Sequence, residues 1–162
     1  MKLSEGVEWA AHCCSILAAL PEGAALNARD LAEFFDLPPG YLAKQMQRLA
    51  AAGVVEAVRG RSGGYRLARA SETITLLQIV EAVEGAEPSF RCTEIRRRGP
   101  SAAKGATYPR PCGIAVAMWR ADSAWRRELA AVSLEQIAKR GHAETPDLQL
   151  ARAAAWFREK LT

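Results

Sequence analysis

Apolar residues recur every three or four positions through most of the chain, which is the spacing of amphipathic α-helices. The first such pattern predicts a helix from Ser4 to about Leu20, with Ser4 as its N-cap and Pro21 as its stop signal. The buried face of this helix is marked by apolar residues three or four positions apart: Val7, Ala11, Cys14, Leu17 and Ala18.

Residues 27–69 are predicted to form a helix, a break, a second helix and a hairpin. Asn27, followed three residues later by Asp30, caps a short helix, and the sequence DLPPG then breaks the chain. Residues 40–52 resume the helical spacing, and Gly53 fits the left-handed position that follows a helix. The β-branched run VVEAV, the turn RGRSGG and the run YRLA predict a two-stranded hairpin. This order is that of a winged helix-turn-helix.

Four more helices are predicted after the hairpin. Thr75 with Gln78 caps the first of them, TLLQIVEAVEG, and a loop rich in proline and glycine comes next. A long helix begins after Cys112, and its apolar residues form a seam typical of helices that pair with each other: Ile114, Met118, Ala121, Trp125, Leu129 and Val132. The same seam would fit a core helix of a monomer, but pairing with a second copy of the chain is favoured because the loop before the helix leaves little else to cover it.

Two shorter helices complete the predicted organisation. Ser133 with Gln136 caps one that Gly141 ends, and Thr145 with Pro146 opens the other. The expected fold is mainly α: a winged helix-turn-helix domain with a two-stranded wing, plus a long dimerisation helix. The expected divisions are residues 1–84 for the winged helix-turn-helix domain, 85–111 for the loop, 112–132 for the dimerisation helix and 133–162 for the C-terminal helices.

The chain has 162 residues, of which 49% are apolar, enough for one compact domain or for a small domain with a dimerisation extension. It contains no apolar run near the roughly 18 residues that a membrane-spanning helix needs. Glu5 and Glu8 near the N-terminus argue against a secretory signal. We therefore expect a soluble, cytoplasmic protein with no membrane partner.

Positive charge is concentrated in two segments rather than spread over the chain. Residues 38–70 contain six basic residues against Glu56 alone, and residues 91–110 contain six against Glu94 alone. A basic block confined to one segment is a candidate surface for nucleic acid, although a solvated surface has the same composition.

The recognition helix of a helix-turn-helix enters the major groove of DNA and meets base edges with its N-terminal residues. The residues at these positions are Gly40, Tyr41, Lys44 and Gln45, followed by Arg48 nearer the DNA backbone. Gln45 is expected to pair with adenine, and Lys44 to reach a guanine or a phosphate. Arg59 and Arg61 at the tip of the wing suit a narrow minor groove. The alternatives are ordinary surface charge for the basic residues and core packing for Tyr41.

Four cysteines occur in the chain, two in the first predicted helix and two at the ends of the loop. In a cytoplasmic protein, cysteines indicate metal or redox chemistry before structural disulfides. Cys13 and Cys14 fit a buried core, where free cysteine is common and inert. Cys92 and Cys112 have nineteen residues between them, and the prolines and glycines of that segment exclude one regular helix.

Three stretches resemble the IscR/NsrR-type winged-helix repressors of the Rrf-two superfamily of bacterial transcription regulators: MKLSEGVEWAAH, GYLAKQMQRLAAAGVVEAVRGRSGGYRLAR and ITLLQIVEAVEG. The resemblance covers roughly residues 1–135. It implies a homodimer that binds near-palindromic operators in double-stranded DNA. Many members of the superfamily sense iron–sulfur status, nitric oxide or redox poise through a cluster between the dimerisation helix and the partner's N-terminal helix. Residues 85–111 are then the cluster or sensor loop.

One departure from the family pattern changes the expected set of ligands. Cluster-binding members usually carry three cysteines in this loop, whereas this chain has only Cys92 and Cys112. Iron–sulfur clusters need four protein ligands, and histidine replaces cysteine in some of them. Glu8 and His12 lie four residues apart on one face of the first predicted helix, about 6 Å along its axis. That spacing suits two side chains that converge on one iron.

The ligand chemistry and the family geometry together predict a 2Fe–2S cluster shared across the dimer. Cys92 and Cys112 of one protomer would bind one iron, and Glu8 and His12 of the other protomer would bind the second. Trp9, next to Glu8, would shield one edge of the cluster.

Other uses of the same residues stay open at this point. Glu8 and His12 could be an ordinary solvated pair, Cys92 and Cys112 could form a switching disulfide, and the same four side chains could hold a tetrahedral zinc. A small metalloenzyme is an alternative from another class, but the chain lacks a phosphate-binding loop, a nucleophile elbow and an HExxH pair. We therefore expect a redox-responsive transcription regulator and no enzyme.

Overall fold

The computed structural model describes residues 2–60, 63–103 and 105–161. Within them the chain forms α-helices and one two-stranded antiparallel sheet, in the mainly helical winged helix-turn-helix order that the sequence predicts. In chain order the elements are α1 (Glu5–Ala19), α2 (Ala28–Phe35), α3 (Pro39–Ala51), β1 (Val55–Val58), β2 (Gly64–Leu67), α4 (Leu76–Glu84), α5 (Gly113–Ala130), α6 (Leu134–Glu144) and α7 (Asp147–Lys160). None of these helices is both long and apolar enough to cross a membrane.

Local capping signals set most helix ends where the sequence predicts them. Complete capping boxes begin α4 and α6, formed by Thr75 with Gln78 and by Ser133 with Gln136. Gly53 follows α3 with a φ of 68°, in the left-handed region that favours glycine. These predictions are confirmed because each signal lies within a few residues of the end that it sets.

The prediction that Gly141 ends α6 is wrong, because α6 continues to Glu144. Glycine inside a helix costs only about 1 kcal/mol relative to alanine. An ion pair between Arg140 and Glu144, at 2.7 Å, spans the glycine and helps to offset that cost. His142 therefore lies in the last turn of α6.

Helix α1 lies at the centre of the protomer and packs against α3, α4, α6 and β2. Its buried face is made of small and apolar residues: Gly6, Val7, Ala10, Cys13, Cys14 and Leu17. The larger side chains that fill the core around it are Leu26, Leu31, Leu42, Met46, Leu49, Ile74, Ile79 and Leu134. Because protein cores are densely packed, a displacement of α1 is transmitted to α3.

The wing is a short hairpin joined to the segment before α2. β1 and β2 pair in antiparallel register, with Val55 opposite Leu67. Leu26 exchanges two backbone hydrogen bonds with Tyr65, of 2.8 and 3.1 Å, and so extends the sheet by one bridge. A β-carbon on Gly64 would lie 2.3 Å from the carbonyl carbon of Leu26, so only glycine permits this approach. The position of the wing is therefore fixed relative to α2.

Helix α5 divides into two halves that face different environments. Ile114 and Met118 in the first half are 69% and 43% exposed. Trp125 and Leu129 in the second half instead pack against the core of their own protomer, because α4 lies beside that half. The predicted apolar seam is therefore not one continuous surface, and only its first half is left for a partner chain.

The C-terminal helix α7 covers the outer side of α2. The ring of Phe157 stacks on that of Phe34 at a centroid distance of 5.3 Å and an interplanar angle of 15°. Trp156 donates its indole N–H to the Glu33 carboxylate at 3.2 Å, and the Lys160 ammonium donates to the same carboxylate at 2.9 Å. These bonds lower the pKa of Glu33, with the hydrogen bond from Lys160 as the largest cause. The last helix is thus packed on the helix-turn-helix.

Candidate DNA-binding surface and sensor site

The N-terminal end of α3 presents an open surface. Pro38 and Pro39 begin the helix, where a missing backbone N–H costs no intrahelical hydrogen bond. Gly40, Tyr41 and Lys44 are exposed, and no atom lies within 4 Å of a β-carbon built on Gly40. These three residues are accessible to a DNA groove, as the predicted base contacts require.

The structure contradicts the prediction that Gln45 reads adenine, because only 1% of the surface of Gln45 is exposed. Gln45 lies on the inner face of α3 together with Leu42, Met46 and Leu49. Leu42 lies three residues before Gln45 and Leu49 four residues after it, which puts these three on one side of a helix. The same spacing is visible in the sequence and is the signal that excludes Gln45 from the DNA-facing side.

Arg48 joins α3 to the end of α4. Its guanidinium donates hydrogen bonds to the backbone oxygen of Val83 at 2.9 Å and to the side-chain oxygen of Gln45 at 3.4 Å. Beside it, Glu84 accepts hydrogen bonds from the hydroxyl and the backbone N–H of Ser4, which lower the pKa of Glu84. Ser4 stands at the N-cap of α1, but its hydroxyl serves Glu84 rather than the helix. These hydrogen bonds link the N-terminal end of α1 and the C-terminal part of α3 to the C-terminal end of α4. A contact of Arg48 with the DNA backbone stays a prediction.

Arg59 is an exposed residue that directly follows β1. Arg66, on the second strand of the wing, is already paired with Glu56 at 2.6 Å. Arg61, also predicted to contact DNA, lies outside the described residues. Of the wing arginines that the structure describes, Arg59 therefore has the exposure that a DNA contact requires.

The predicted sensor residues of α1 lie on its outer surface, next to the helix-turn-helix. Glu8 and His12 are both exposed and are about one helical turn apart. Trp9 packs edge-on against Tyr41 at a centroid distance of 5.1 Å and an interplanar angle of 77°. The His12 imidazole lies 5.6 Å from the ring of Phe35. A force on Glu8 or His12 thus acts on a helix that touches both α2 and α3.

Cys92 and Cys112 are free, half-buried thiols at opposite ends of the loop. Cys112 immediately precedes α5, and Cys92 lines a cavity of about 440 Å³ that Trp119 also lines. Within the described residues of one protomer, no three histidine, cysteine or carboxylate side chains converge closely enough to hold a metal ion. The structure therefore does not bring Glu8 and His12 to the two thiols within one chain.

The donor chemistry fits an iron–sulfur cluster when two protomers contribute. Each protomer offers two thiols on the loop and, separately, one carboxylate and one imidazole on α1, and neither pair is buried. Cys13 and Cys14 are fully buried, which confirms that they are core residues. Burial raises the pKa of Cys13 to about 12 and raises the pKa of Cys14 as well, which disfavours the thiolates that a metal needs.

The segment that leads to Cys92 is anchored to α5 by a network that the sequence does not reveal. Arg126 pairs with Asp122 at 2.8 Å and also with Glu81 of α4. The same guanidinium donates to the backbone oxygens of residues 86 and 87, at 3.1 and 3.0 Å. The hydrogen bond from Arg126 is the largest cause that lowers the pKa of Asp122, and a hydrogen bond from the Ser89 hydroxyl lowers it further. The loop therefore begins at a fixed point beside α5.

The sequence and the structure were each compared with known proteins, and the matches are transcription regulators. The Rrf2 family, described as an iron-dependent transcriptional regulator, matches residues 3–140. YwgB of Bacillus subtilis (strain 168), designated an HTH-type transcriptional regulator, is 27% identical over 140 residues, 86% of each chain. The solved structure of T. potens IscR superposes with a TM-score of 0.66 at 21% identity, covering 91% of this chain and 93% of that one. Oxidized Staphylococcus aureus CymR gives a TM-score of 0.62 at 24% identity, covering 91% and 99%.

The family match extends from the residues before α1 into α6, so it includes the helix-turn-helix, the wing and the loop with both exposed thiols. Helix α7 lies beyond it. The family and the relatives are transcription regulators, which confirms the expectation that the protein is not an enzyme. The chain therefore belongs to the Rrf2 family of DNA-binding transcription regulators.

Proposed function

We propose that the protein is a dimeric, redox-responsive regulator that binds a near-palindromic operator in double-stranded DNA. Its sensor is a 2Fe–2S cluster held by Cys92 and Cys112 of one protomer and by Glu8 and His12 of the other. The observation that carries the proposal is that the described part of each protomer presents two accessible pairs of ligands, neither of which completes a site alone. The description of the family as iron-dependent supports the same group.

The first half of α5 supplies the surface for the second copy. Its exposed apolar side chains are Ile114, Val116, Met118 and Trp119. Burial of such side chains stabilises a helix pair by about 25 cal/mol for each Å² removed from water. We expect this pairing to bring the α1 helix of the partner subunit toward the loop that leads into α5, as the family geometry implies.

The helix that offers Glu8 and His12 is also the helix on which α3 packs. When bound, the cluster would supply a one-electron redox couple. Glu8 and His12 would hold it from the outer side of α1, while Gly6 on the inner side lies against Gln45 of α3. A displacement of Glu8 or His12 therefore moves α1 against α3. The two recognition helices would then change their separation, which must match half-sites about one DNA turn apart.

We expect the oxidised dimer to bind its operator more tightly than the reduced dimer. Linkage then requires that the operator lower the midpoint potential of the cluster. The shift is about 59 mV for each tenfold difference in operator affinity between the oxidised and reduced dimers. A redox titration with and without operator DNA measures that shift. Identical midpoints would show that DNA binding is not coupled to the redox state.

Anaerobic purification, iron and acid-labile sulfide assays and absorption spectroscopy test the cluster itself. Cys92→Ala and Cys112→Ala should each remove iron and sulfide, whereas the core variant Cys13→Ala should retain them as the matched control. The combined Glu8→Ala and His12→Ala variant should change the spectrum or loosen the iron. A colourless wild-type protein free of iron would contradict the proposal.

A thiol switch without a metal is the second candidate. Two half-buried, free cysteines at the loop ends favour it, as does the likeness of the fold to an oxidized form of CymR. A two-electron oxidant such as oxidised glutathione would then join Cys92 to Cys112 and take up the two protons and two electrons that the thiols release. In that case the wild-type protein contains no iron, and Cys92→Ala abolishes its response to the oxidant. Zinc held by the same four side chains is distinguished by metal analysis. Each alternative acts on operator DNA, so we also propose a cytoplasmic location.

A further inference from the structure

The loop between the two sensor thiols contains a cluster of side chains that the proposed function does not use. Arg96 donates hydrogen bonds from Nε and Nη2 to the two carboxylate oxygens of Glu94, the second at 2.8 Å. Its guanidinium lies 4.2 Å from the centroid of the Tyr108 ring and donates to the backbone oxygen of Arg110 at 3.3 Å. The Tyr108 hydroxyl donates to the backbone oxygen of Arg96 at 2.9 Å. We call these four residues the loop clasp.

The position of the loop clasp in the sequence relates it to both thiols. Glu94 lies two residues after Cys92, and Arg110 lies two residues before Cys112. Arg96 bonds to both segments, across 14 residues in the case of Arg110. Closing a flexible segment costs entropy that grows with its length, about (3/2)RT ln n for n residues. Because the loop clasp already holds the two segments together, this entropy is lost before any group binds the thiols.

Exposure and backbone geometry distinguish the loop clasp from an ordinary surface ion pair. The Arg96 and Glu94 side chains are 35% and 27% exposed, whereas Arg91 and Glu87, an ion pair at the start of the same loop, are 86% and 87% exposed. Glu94 also has a φ of 50°, a left-handed conformation that residues other than glycine seldom adopt. A bidentate, charge-assisted bond to Arg96 is an interaction strong enough to hold it there.

We propose that Arg96 is a positioning residue of the sensor: through Glu94, Tyr108 and Arg110 it holds the segments that bear the two thiols near each other, so that both bind one group. The inference rests on the proposed function in giving those thiols the sensor role. The closeness of the two thiols that it predicts, however, does not depend on a bound metal and is tested in the metal-free chain. Arginine suits this position because its planar guanidinium forms a bidentate bond and stacks on an aromatic ring, whereas a lysine ammonium is a point charge.

The test measures how readily the two thiols meet in the metal-free protein. In a buffer of reduced and oxidised glutathione, joining Cys92 to Cys112 releases two protons and two electrons, and one oxidised glutathione takes them up to become two reduced molecules. The equilibrium ratio gives the effective concentration of one thiol at the other. Arg96→Ala should lower this concentration by about tenfold, toward that of an open flexible loop, and Arg96→Lys should fall between.

Arg98→Ala is the matched control, because Arg98 is an exposed arginine two residues further along the loop. It should leave the effective concentration unchanged. Hydrogen exchange over residues 105–111 reports separately whether the loop opens. Faster exchange in Arg96→Ala with no change in effective concentration would make Arg96 merely structural and overturn the proposal. A wild-type value no higher than that of the denatured chain would overturn it as well.

The same measurements separate this inference from the proposed function. If the protein contains no iron but Arg96→Ala lowers the effective concentration, the positioning role of Arg96 is supported and the cluster is rejected. If the protein contains iron but Arg96→Ala leaves the effective concentration unchanged, the cluster is supported and the positioning role is rejected.

Discussion

Gly6 of α1 and Gln45 of α3 pack so closely that a methyl group on residue 6 would require the Gln45 side chain to shift. A β-carbon on residue 6 would lie 3.0 Å from the side-chain nitrogen of Gln45, 3.1 Å from its Cδ and 3.3 Å from the Ser4 hydroxyl oxygen. Gln45 is itself buried, so it cannot turn into solvent to make way. The contact therefore couples the helix that bears two proposed ligands to the predicted recognition helix.

Gly6→Ala should destabilise the protein by about 1 kcal/mol, because overpacking costs about 1–3 kcal/mol and exceeds the helix-propensity gain of about 1 kcal/mol. In a Gln45→Ala background the same substitution should become neutral or stabilising, because the methyl group then has space. Gly40→Ala is the control, since its β-carbon would meet no atom within 4 Å and should stabilise α3. Urea unfolding gives these free energies. An equal effect of Gly6→Ala in both backgrounds would contradict the coupling.

Gln45→Met should preserve the sequence preference of the protein for its operator, because a side chain that is 1% exposed is out of reach of the bases. Lys44→Ala, one residue earlier on the exposed side, should relax that preference at one position and cost about 1–3 kcal/mol. Fluorescence anisotropy on operators with single base-pair changes compares the two variants. Loss of an adenine preference in Gln45→Met would reinstate Gln45 as a base contact.

Arg59→Ala should weaken operator binding and reduce the slope of log affinity against log salt by about one, as a lost phosphate contact does. Arg66→Ala is the matched control on the same wing, because its guanidinium is already paired with Glu56. Anisotropy titrations over a range of salt concentrations give both slopes. A slope for Arg59→Ala equal to that of the wild type would remove this residue from the phosphate contacts.

Local signals predicted most helix ends because a cap is encoded within about four residues of the end that it sets. Thr75 with Gln78 is such a case, and the capping box forms as predicted. The docking of α7 on α2 has no such local code. Trp156 and Glu33 are 123 residues apart in sequence, and no periodic pattern relates them.

Phe157→Ala should destabilise the protein by about 2 kcal/mol, because it removes a partly buried ring that stacks on Phe34. Leu148→Ala on the same helix is the control. Leu148 is 67% exposed, so its loss should cost less than about 0.5 kcal/mol. Thermal unfolding followed by circular dichroism measures both variants. Equal costs would show that α7 is not docked through its aromatic residues.

The buried thiols should make the protein less stable in alkaline solution. Folding raises the pKa of Cys13 from 9.0 to about 12 and raises the pKa of Cys14 as well. Below pH 9 both thiols are neutral in either state, and between pH 9 and about 12 the unfolded chain ionises first. The free energy of unfolding should then fall by up to about 1.4 kcal/mol per pH unit for each thiol.

A variant with Cys13→Ala and Cys14→Ala provides the comparison for this alkaline loss. Its free energy of unfolding should fall less steeply with pH, although its stability at neutral pH is lower because the core has lost two side-chain atoms. Denaturant titrations at a series of pH values give both slopes. The same slope in the variant and the wild type would mean that these thiols ionise equally in the folded and unfolded states.

The chemistry of the candidate site was more predictable than its geometry. Helical spacing identified Glu8 and His12 as neighbours on one exposed face. The burial of Gln45 was missed because its side chain is polar, although its spacing from Leu42 and Leu49 puts it on the inner face. The loop clasp could not be predicted at all, because an irregular segment has no period from which side-chain contacts follow.

The division of α5 into an anchored half and an exposed half sets an order of assembly. Trp125 and Leu129 are held by the core of their own protomer, so the direction of the helix is set before a second chain arrives. If two copies pair through the exposed half, as proposed, their association is a bimolecular step between preformed surfaces, and its extent depends on protein concentration. The amount of the proposed dimer would consequently follow the cellular level of the protein as well as the state of the proposed sensor.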